Sequence, residues 1–483
     1  MNSIKRANGF SYQYTLLIFA AVAFVTAVAH FFEPYYAYLL TIAILTPVAY
    51  IGAGIVLFSS DTSRSTAFKL LLAFMIWTFF CAVFNEKRSE SVLNNQPDIA
   101  ALAVLTFLCF PAGYLANQRL SKTFLKVASA ATVLTIAALD AVALVAAALN
   151  RYIVISSHCE CGIGILPDVM RLEVLCHPNI VGMIGVVCIF LAVYLVIQSK
   201  HIWSRILYGV CGLIIFCTVA VADARTAEAA IAIMLGLIAF TLVRSVLLKR
   251  KTVARVLIGI LVAAAIAVIS YEANSLIVRG FNTITSHYAV AHVPMENSES
   301  ETVQNTESVS PPPAVNRPIV ENIGSFNGRT TIWKAAINEI KKDKSILLVG
   351  TSPAFVEEIM SISGTLQGRN LHNAFLQVFV ATGVIGALLV LAFLIVLMIA
   401  SFRLFFSASA EKSADCILPA LLVGILITAL MESYLFLYPM AHFVNVWFFL
   451  VAGYVCRNAE VLRNKQRGIN AENAEIIKTI TEK

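Results

Sequence analysis

Charge is scarce in this sequence. Asp, Glu, Lys and Arg make up 13% of its 483 residues, while hydrophobic residues make up 59%. A soluble globular domain carries about 25% charged residues, so the soluble class is excluded and a membrane protein is expected. Signals of nucleotide or metal chemistry are also missing. No glycine-rich nucleotide loop, serine-nucleophile motif or paired-aspartate metal motif stands in a loop on the outer side defined below. A reaction there has no obvious nucleotide or metal helper. The first apolar stretch follows Lys5 and Arg6 but lacks a small-residue cleavage site. It is long enough to span and leads into a second stretch, so it reads as a retained helix rather than a signal peptide.

What is there is apolar sequence in span-sized blocks. A membrane-crossing helix needs roughly 20 apolar residues. Twelve stretches qualify: 13–32, 36–58, 66–84, 98–116, 123–149, 177–198, 204–221, 226–247, 253–271, 374–402, 416–435 and 440–456. The fold class is therefore an all-α polytopic membrane protein of about twelve transmembrane helices. Residues 1–271 hold the first nine, 272–373 form a large loop, 374–456 hold the last three, and 457–483 form a tail. Basic residues in short loops set the orientation. An inside N-terminus places Lys122, Lys200, the cluster Arg244, Lys249, Arg250, Lys251 and Arg255, and the tail bases in the cytoplasm. Only Lys87, Arg88, Arg151, Arg171 and Arg225 remain in short outer loops. Both termini are then cytoplasmic and the 272–373 loop is extracytoplasmic. The net charge of +7 is first a topology signal, and its 244–255 cluster can hold anionic lipid. Bases spread over short helix connections give no support for nucleic acid.

A loop this long on a helical bundle is usually functional or disordered. Here the two succeed one another. Glu272 to Val293 continues the ninth span as a helix. Residues 294–318 are acidic and rich in Ser, Thr and Pro; they bury too little to offset chain entropy and are expected to be disordered. From 319 to 373 partial helicity returns, with Ile332, Ala335, Ala336 and Ile340 at helical spacing. Leu347-Leu348-Val349 is then closed by Gly350-Thr351-Ser352-Pro353.

Candidate functional residues gather at the water-facing rim. Arg329 precedes Trp333 by one helical turn, so the two share a face. The indole either positions the guanidinium or anchors the helix at the interface. Arg225 sits in a connection so short that it lies at bilayer depth, where ionisable groups face a cavity or a partner. A local pair with Asp223 or Glu228 is its alternative. His372 enters the tenth span beside Asn373, with Gln377 a turn further on; Gly383 and Gly386 would permit close helix approach. His158, Cys159, Glu160 and Cys161 share a loop with Cys176 and His177. Their spacing matches no common zinc pattern, and outside the cytoplasm a disulfide from Cys176 to Cys159 or Cys161 is the favoured alternative. Asp140, deep in the fifth span, lines the interior or bonds a neighbouring helix.

This set resembles the O-antigen ligase and polymerase family of bacterial membrane glycosyltransferases. The likeness covers 177–390: His177-Pro178-Asn179 opening a span, the outer Arg225, Gly328-Arg329 before Trp333, and His372-Asn373 leading to Thr382-Gly383-Val384-Ile385-Gly386. The resemblance implies a multi-pass protein of the cytoplasmic (inner) membrane with a large outer loop between the ninth and tenth helices. It implies glycan transfer from a polyprenyl-diphosphate-linked oligosaccharide to a glycan or lipid-linked acceptor, without cofactor, metal or nucleotide sugar. By the same resemblance Arg225 and Arg329 would contact the diphosphate and His372 would act on the acceptor hydroxyl. The chemistry agrees, since a leaving diphosphate needs preorganised cations and arginine forks onto phosphate oxygens. Attack opposite the diphosphate would invert the anomeric centre.

The chain departs from the family where a proline and a Gly-x-Gly stretch are expected, having Lys344-Ser345 and Leu348-Val349-Gly350-Thr351-Ser352 instead. Arg279, His287, His292 and Glu432 could line the same cavity, but no motif assigns them roles. Polymerase and ligase differ only in the acceptor, and polymerase is slightly favoured because it requires no particular envelope type. The rival class is a transporter or flippase for lipid-linked glycan. Transport predicts charged or broken helices near the midplane, and the deep spans offer chiefly Asp140.

Overall fold

The computed structural model describes residues 12–23, 25, 44, 46–59, 61–84, 95–115, 117–156, 161–166, 171–247, 252–291, 329–356, 371–406, 414–437 and 442–481. The expected disordered segment 294–318 lies outside them. The helices are α1 (Tyr12–Ala23), α2 (Thr46–Ser59), α3 (Thr66–Val83), α4 (Gln96–Gly113), α5 (Gln118–Ala148), α6 (Pro178–Gln198), α7 (Ile202–Val221), α8 (Arg225–Val246) and α9 (Thr252–Ala291). After them come α10 (Arg329–Lys342), α11 (Lys344–Leu348), α12 (Ala374–Phe406), α13 (Leu418–Ala429) and α14 (His442–Thr481). Each of the twelve apolar stretches carries a helix. Among the described residues eight helices are long and apolar enough to cross a membrane: α3 to α9 and α12. The chain is an all-α polytopic membrane protein. Helix α9 continues through Ala291, so the sequence after its span is helical as expected.

The chain divides into two compact units. The first comprises Met1–Ala128, Leu237–Ala263 and Ser325–Lys483. Its centre is aromatic. Phe74, Phe110, Phe393, Phe436, Phe448 and Phe449 meet with ring centroids 5.5 to 6.5 Å apart, mostly edge to face. Lipid removes the hydrophobic drive for helix association, so close packing and ring geometry carry it instead.

Helix α12 breaks inside this unit at Gly383, where φ is 65° and ψ is −169°. That conformation is open to glycine essentially alone. A break in an apolar helix exposes carbonyls that must find donors within the protein. The Thr351 and Ser352 amides donate to the Val380 and Ala381 carbonyls, both at 2.9 Å. The Trp77 indole donates to the Thr382 carbonyl at 2.8 Å. Asn95 locks the docked turn, donating to Ser352 Oγ at 2.9 Å and accepting from the Ala354 amide at 2.8 Å. The departure noted at Gly350-Thr351-Ser352 is therefore the segment that caps the broken helix.

The second unit comprises Ser129–Gly236 and Ala264–Gly324. Helix α6 is apolar all round and mostly buried. A Cβ placed on Gly182 would lie 2.4 Å from that of Ala224, so the glycine admits the turn before α8. Asp140 of α5 is buried beside Thr218 of α7. Between α5 and α6 lies an antiparallel sheet of β1 (Tyr152–Ser156), β2 (Cys161–Leu166) and β3 (Arg171–Val174), in that order. Tyr152 pairs with Gly164, which pairs with Glu173.

Candidate active site

Two of the three predicted site residues meet in the first unit. Helix α10 starts at Arg329 and turns Ile332 and Ala336 inward, which brings the guanidinium to a carboxylate far along the chain. Arg329 Nη2 donates to Glu432 Oε1 at 2.5 Å. His372 Nδ1 lies 3.0 Å from Glu432 Oε2. The Glu432 side chain is 4% exposed, that of Arg329 14% and that of His372 27%. A carboxylate so buried is stable only with charged or hydrogen-bonding partners, and these two groups supply them.

The chain on both sides of His372 is held from several directions. Asn373 caps α12, its Oδ1 accepting from the Phe375 and Leu376 amides at 3.0 and 2.9 Å. The Asn373 amide donates to Ser433 Oγ at 3.1 Å, and its Nδ2 donates to the Leu430 carbonyl at 2.9 Å. His372 thus precedes the helix rather than entering it. Its φ is 46°, a left-handed value uncommon outside glycine. Trp333 Nε1 donates to the Leu371 carbonyl at 2.8 Å. The indole is therefore a brace on the residue before His372.

Glu432 is available because α13 ends at Ala429, short of the expected 435. The segment after it is irregular and tied down by Asn445, which donates to the Tyr434 carbonyl at 2.8 Å and accepts from the Phe436 amide at 3.3 Å. Sequence reasoning gave Glu432 no role. Its one signal was an acid at the end of an otherwise apolar span.

Arg225, the third predicted residue, lies in the second unit at the start of α8. Its Nε sits 3.4 Å from Asp223 Oδ1, so the local pair considered from sequence is present. Arg171 fixes this turn. Its buried guanidinium donates from Nε to the Ala222 carbonyl at 2.8 Å, and from Nη2 to the Asp223 carbonyl and Asn179 Oδ1, both at 2.9 Å. Asp223 has a φ of 47°, the left-handed value that the turn requires. On the same strand, burial pushes the Glu173 carboxyl above its ordinary value, opposed by a 2.6 Å hydrogen bond from the Tyr152 hydroxyl. Arg279 is exposed on α9. His292, His158, Cys159, Glu160 and the side chains of Cys161 and His287 lie outside the described residues, so the zinc and disulfide alternatives stay expectations.

Residues 210–391 match the family model described as O-Antigen ligase. The stretch contains Arg225, Arg329 and His372 and ends in α12 beyond Gly386. It begins after His177-Pro178-Asn179, so the likeness read from residue 177 is supported from 210 onward. No curated protein matches the chain.

Proposed function

We propose that this chain, whose residues 210–391 match the O-antigen ligase family model, passes glycan from a polyprenyl-diphosphate carrier to an acceptor hydroxyl. The observation that carries the reading is the single buried carboxylate, Glu432, holding both Arg329 and His372. A proton acceptor and a fixed cation then stand within one side chain's width, as displacement of a diphosphate by an alcohol requires.

In this reading His372 takes the acceptor's hydroxyl proton as its oxygen bonds to the anomeric carbon. The bond from that carbon to the diphosphate oxygen breaks, and its electron pair leaves with the diphosphate. Arg329 stabilises the departing charge, and attack from the opposite side inverts the anomeric centre. Arg225 is assigned to the diphosphate as well, on the strength of the family stretch that contains it. Such preorganised guanidinium groups do the work that a metal ion does in other transferases. The reaction is placed at the outer face of the cytoplasmic membrane with both termini inside, supported by the basic residues of the short loops.

One observation bears on the transport alternative. The break at Gly383 is the kind of discontinuity that transporters use to hold substrate. Here the Val380, Ala381 and Thr382 carbonyls are all bonded from within the protein, and Thr382 is fully buried. The break offers no ligand shell, which favours the enzyme. The test uses purified protein with lipid-diphosphate oligosaccharide as sole substrate. Longer chains identify a polymerase, slightly favoured here; turnover only after a second acceptor is added identifies a ligase. Absence of transfer in both formats by folded protein would discard the reading.

A further inference from the structure

We propose that Glu432 is a positioning residue for both functional groups, one carboxylate fixing the proton-bearing nitrogen of His372 and the fork of Arg329. This rests on the reading of His372 as base. A carboxylate only accepts hydrogen bonds. His372 Nδ1, 3.0 Å from Oε2, therefore carries the hydrogen, and Nε2 on the other side of the ring is the nitrogen that receives the acceptor's proton. Once Nε2 is protonated, the carboxylate stabilises the imidazolium without itself taking the proton. The other oxygen, 2.5 Å from Arg329 Nη2, directs the planar guanidinium. Because Glu432 is nearly fully buried and Asn445 fixes its segment, neither partner can turn away cheaply.

Sharing has a geometric consequence. Glu432, from the segment after α13, pairs with His372 and with Arg329 of α10. An amide at position 432 has one accepting and one donating end. It cannot accept from both Arg329 and His372, so one of them must face an N–H.

The test measures turnover and thermal unfolding for the wild type, Glu432→Gln and Glu432→Asp. Turnover at saturating donor should fall by roughly 10²–10⁴-fold in Glu432→Gln, the range that general-base help supplies. The loss should sit in kcat with the thermal midpoint near wild type, and Glu432→Asp, which keeps a carboxylate, should recover part of it. A carboxylate that merely holds the fold would lower the midpoint in step with the rate and leave Asp no better than Gln, and that result overturns the proposal. Should Glu432→Gln fail to fold, Glu432→Asp decides, since wild-type kcat with the shorter carboxylate would also overturn it. Full turnover in His372→Ala would instead remove the underlying reading of the base.

Discussion

Gly350 lies against the backbone at Ala381–Thr382 and Gly383 against that at Leu348–Val349, each too close for a side chain. A Cβ on Gly350 would lie 2.4 Å from the Ala381 carbonyl, and one on Gly383 would lie 2.2 Å from the Leu348 oxygen. Both residues have positive φ, 77° and 65°. Gly383→Ala and Gly350→Ala should each lower the thermal midpoint in detergent, the backbone strain alone costing about 1–3 kcal/mol. The double variant should lose less than the sum, because both glycines lie in the same pair of packed segments. Gly280→Ala, in open space on α9, should be neutral or slightly stabilising, since helix interiors prefer alanine by about 0.5–1 kcal/mol. Equal losses at all three positions would contradict the docked-turn account.

Removal of the imidazole should be far more costly to turnover than to folding. His372→Ala is expected to stop glycan transfer while expression and detergent monodispersity stay at wild-type levels. Arg329→Lys keeps the charge but loses the fork, and should slow transfer by roughly 10²–10³-fold, the usual effect of deleting one donor to developing negative charge. Chain growth on lipid-diphosphate oligosaccharide measures both. Normal transfer by His372→Ala would end the mechanism proposed here.

Arg171 is expected to act on Arg225 at a distance. Its hydrogen bonds to the Ala222 and Asp223 carbonyls hold the turn from which α8 and Arg225 start, and another ties it to Asn179. Arg171→Gln leaves buried carbonyls without donors, at a cost of about 1–3 kcal/mol each. The KM for donor should rise several-fold with a smaller change in kcat, because Arg225 is displaced rather than removed. If Arg171→Gln lowers stability but leaves donor KM unchanged, the turn does not position Arg225 for substrate.

Glu173 should make stability depend on pH. Burial raises its folded-state value above the ordinary 4.5, so the folded protein binds more protons than the unfolded chain above that pH. The contribution is therefore present in acid and declines as pH rises from 4.5 through the folded value. Glu173→Gln should flatten that slope in thermal unfolding curves. Tyr152→Phe, which removes the hydrogen bond to the carboxylate, should steepen it.

Hydropathy made the helices legible, since lipid demands apolar runs of fixed length. Arg329 and His372 were legible because ionisable groups at a membrane rim need a reason. Other features depended on partners remote in sequence. Glu432 looked like the tail of a span because nothing local announces that α13 stops at Ala429. Gly383 read as a packing glycine, and only the docking of residues 351–352 makes it a break. The strands after α5 were hidden because Tyr152-Ile153-Val154-Ile155 continues an apolar helix without alternation, and Cys159 and Cys161 drew attention to metal or disulfide chemistry instead. Arg171 appeared as a base on the wrong side of the charge count, with no hint that backbone carbonyls 51 and 52 positions away would claim it.

Trp333 separates an anchor from a brace. An interfacial anchor needs only an amphipathic ring, whereas the geometry here uses the indole N–H, bonded to the Leu371 carbonyl at 2.8 Å. Trp333→Phe keeps an aromatic ring at the same helical position and removes that donor. If the ring merely anchors α10, transfer should continue at the wild-type rate. If the hydrogen bond holds the left-handed turn at His372, the loss of about 0.5–1.5 kcal/mol in a neutral bond loosens the base, and kcat should fall several-fold. Donor KM should change little, because Arg329 keeps its own link to Glu432. Wild-type kcat in Trp333→Phe would return the indole to the anchoring role.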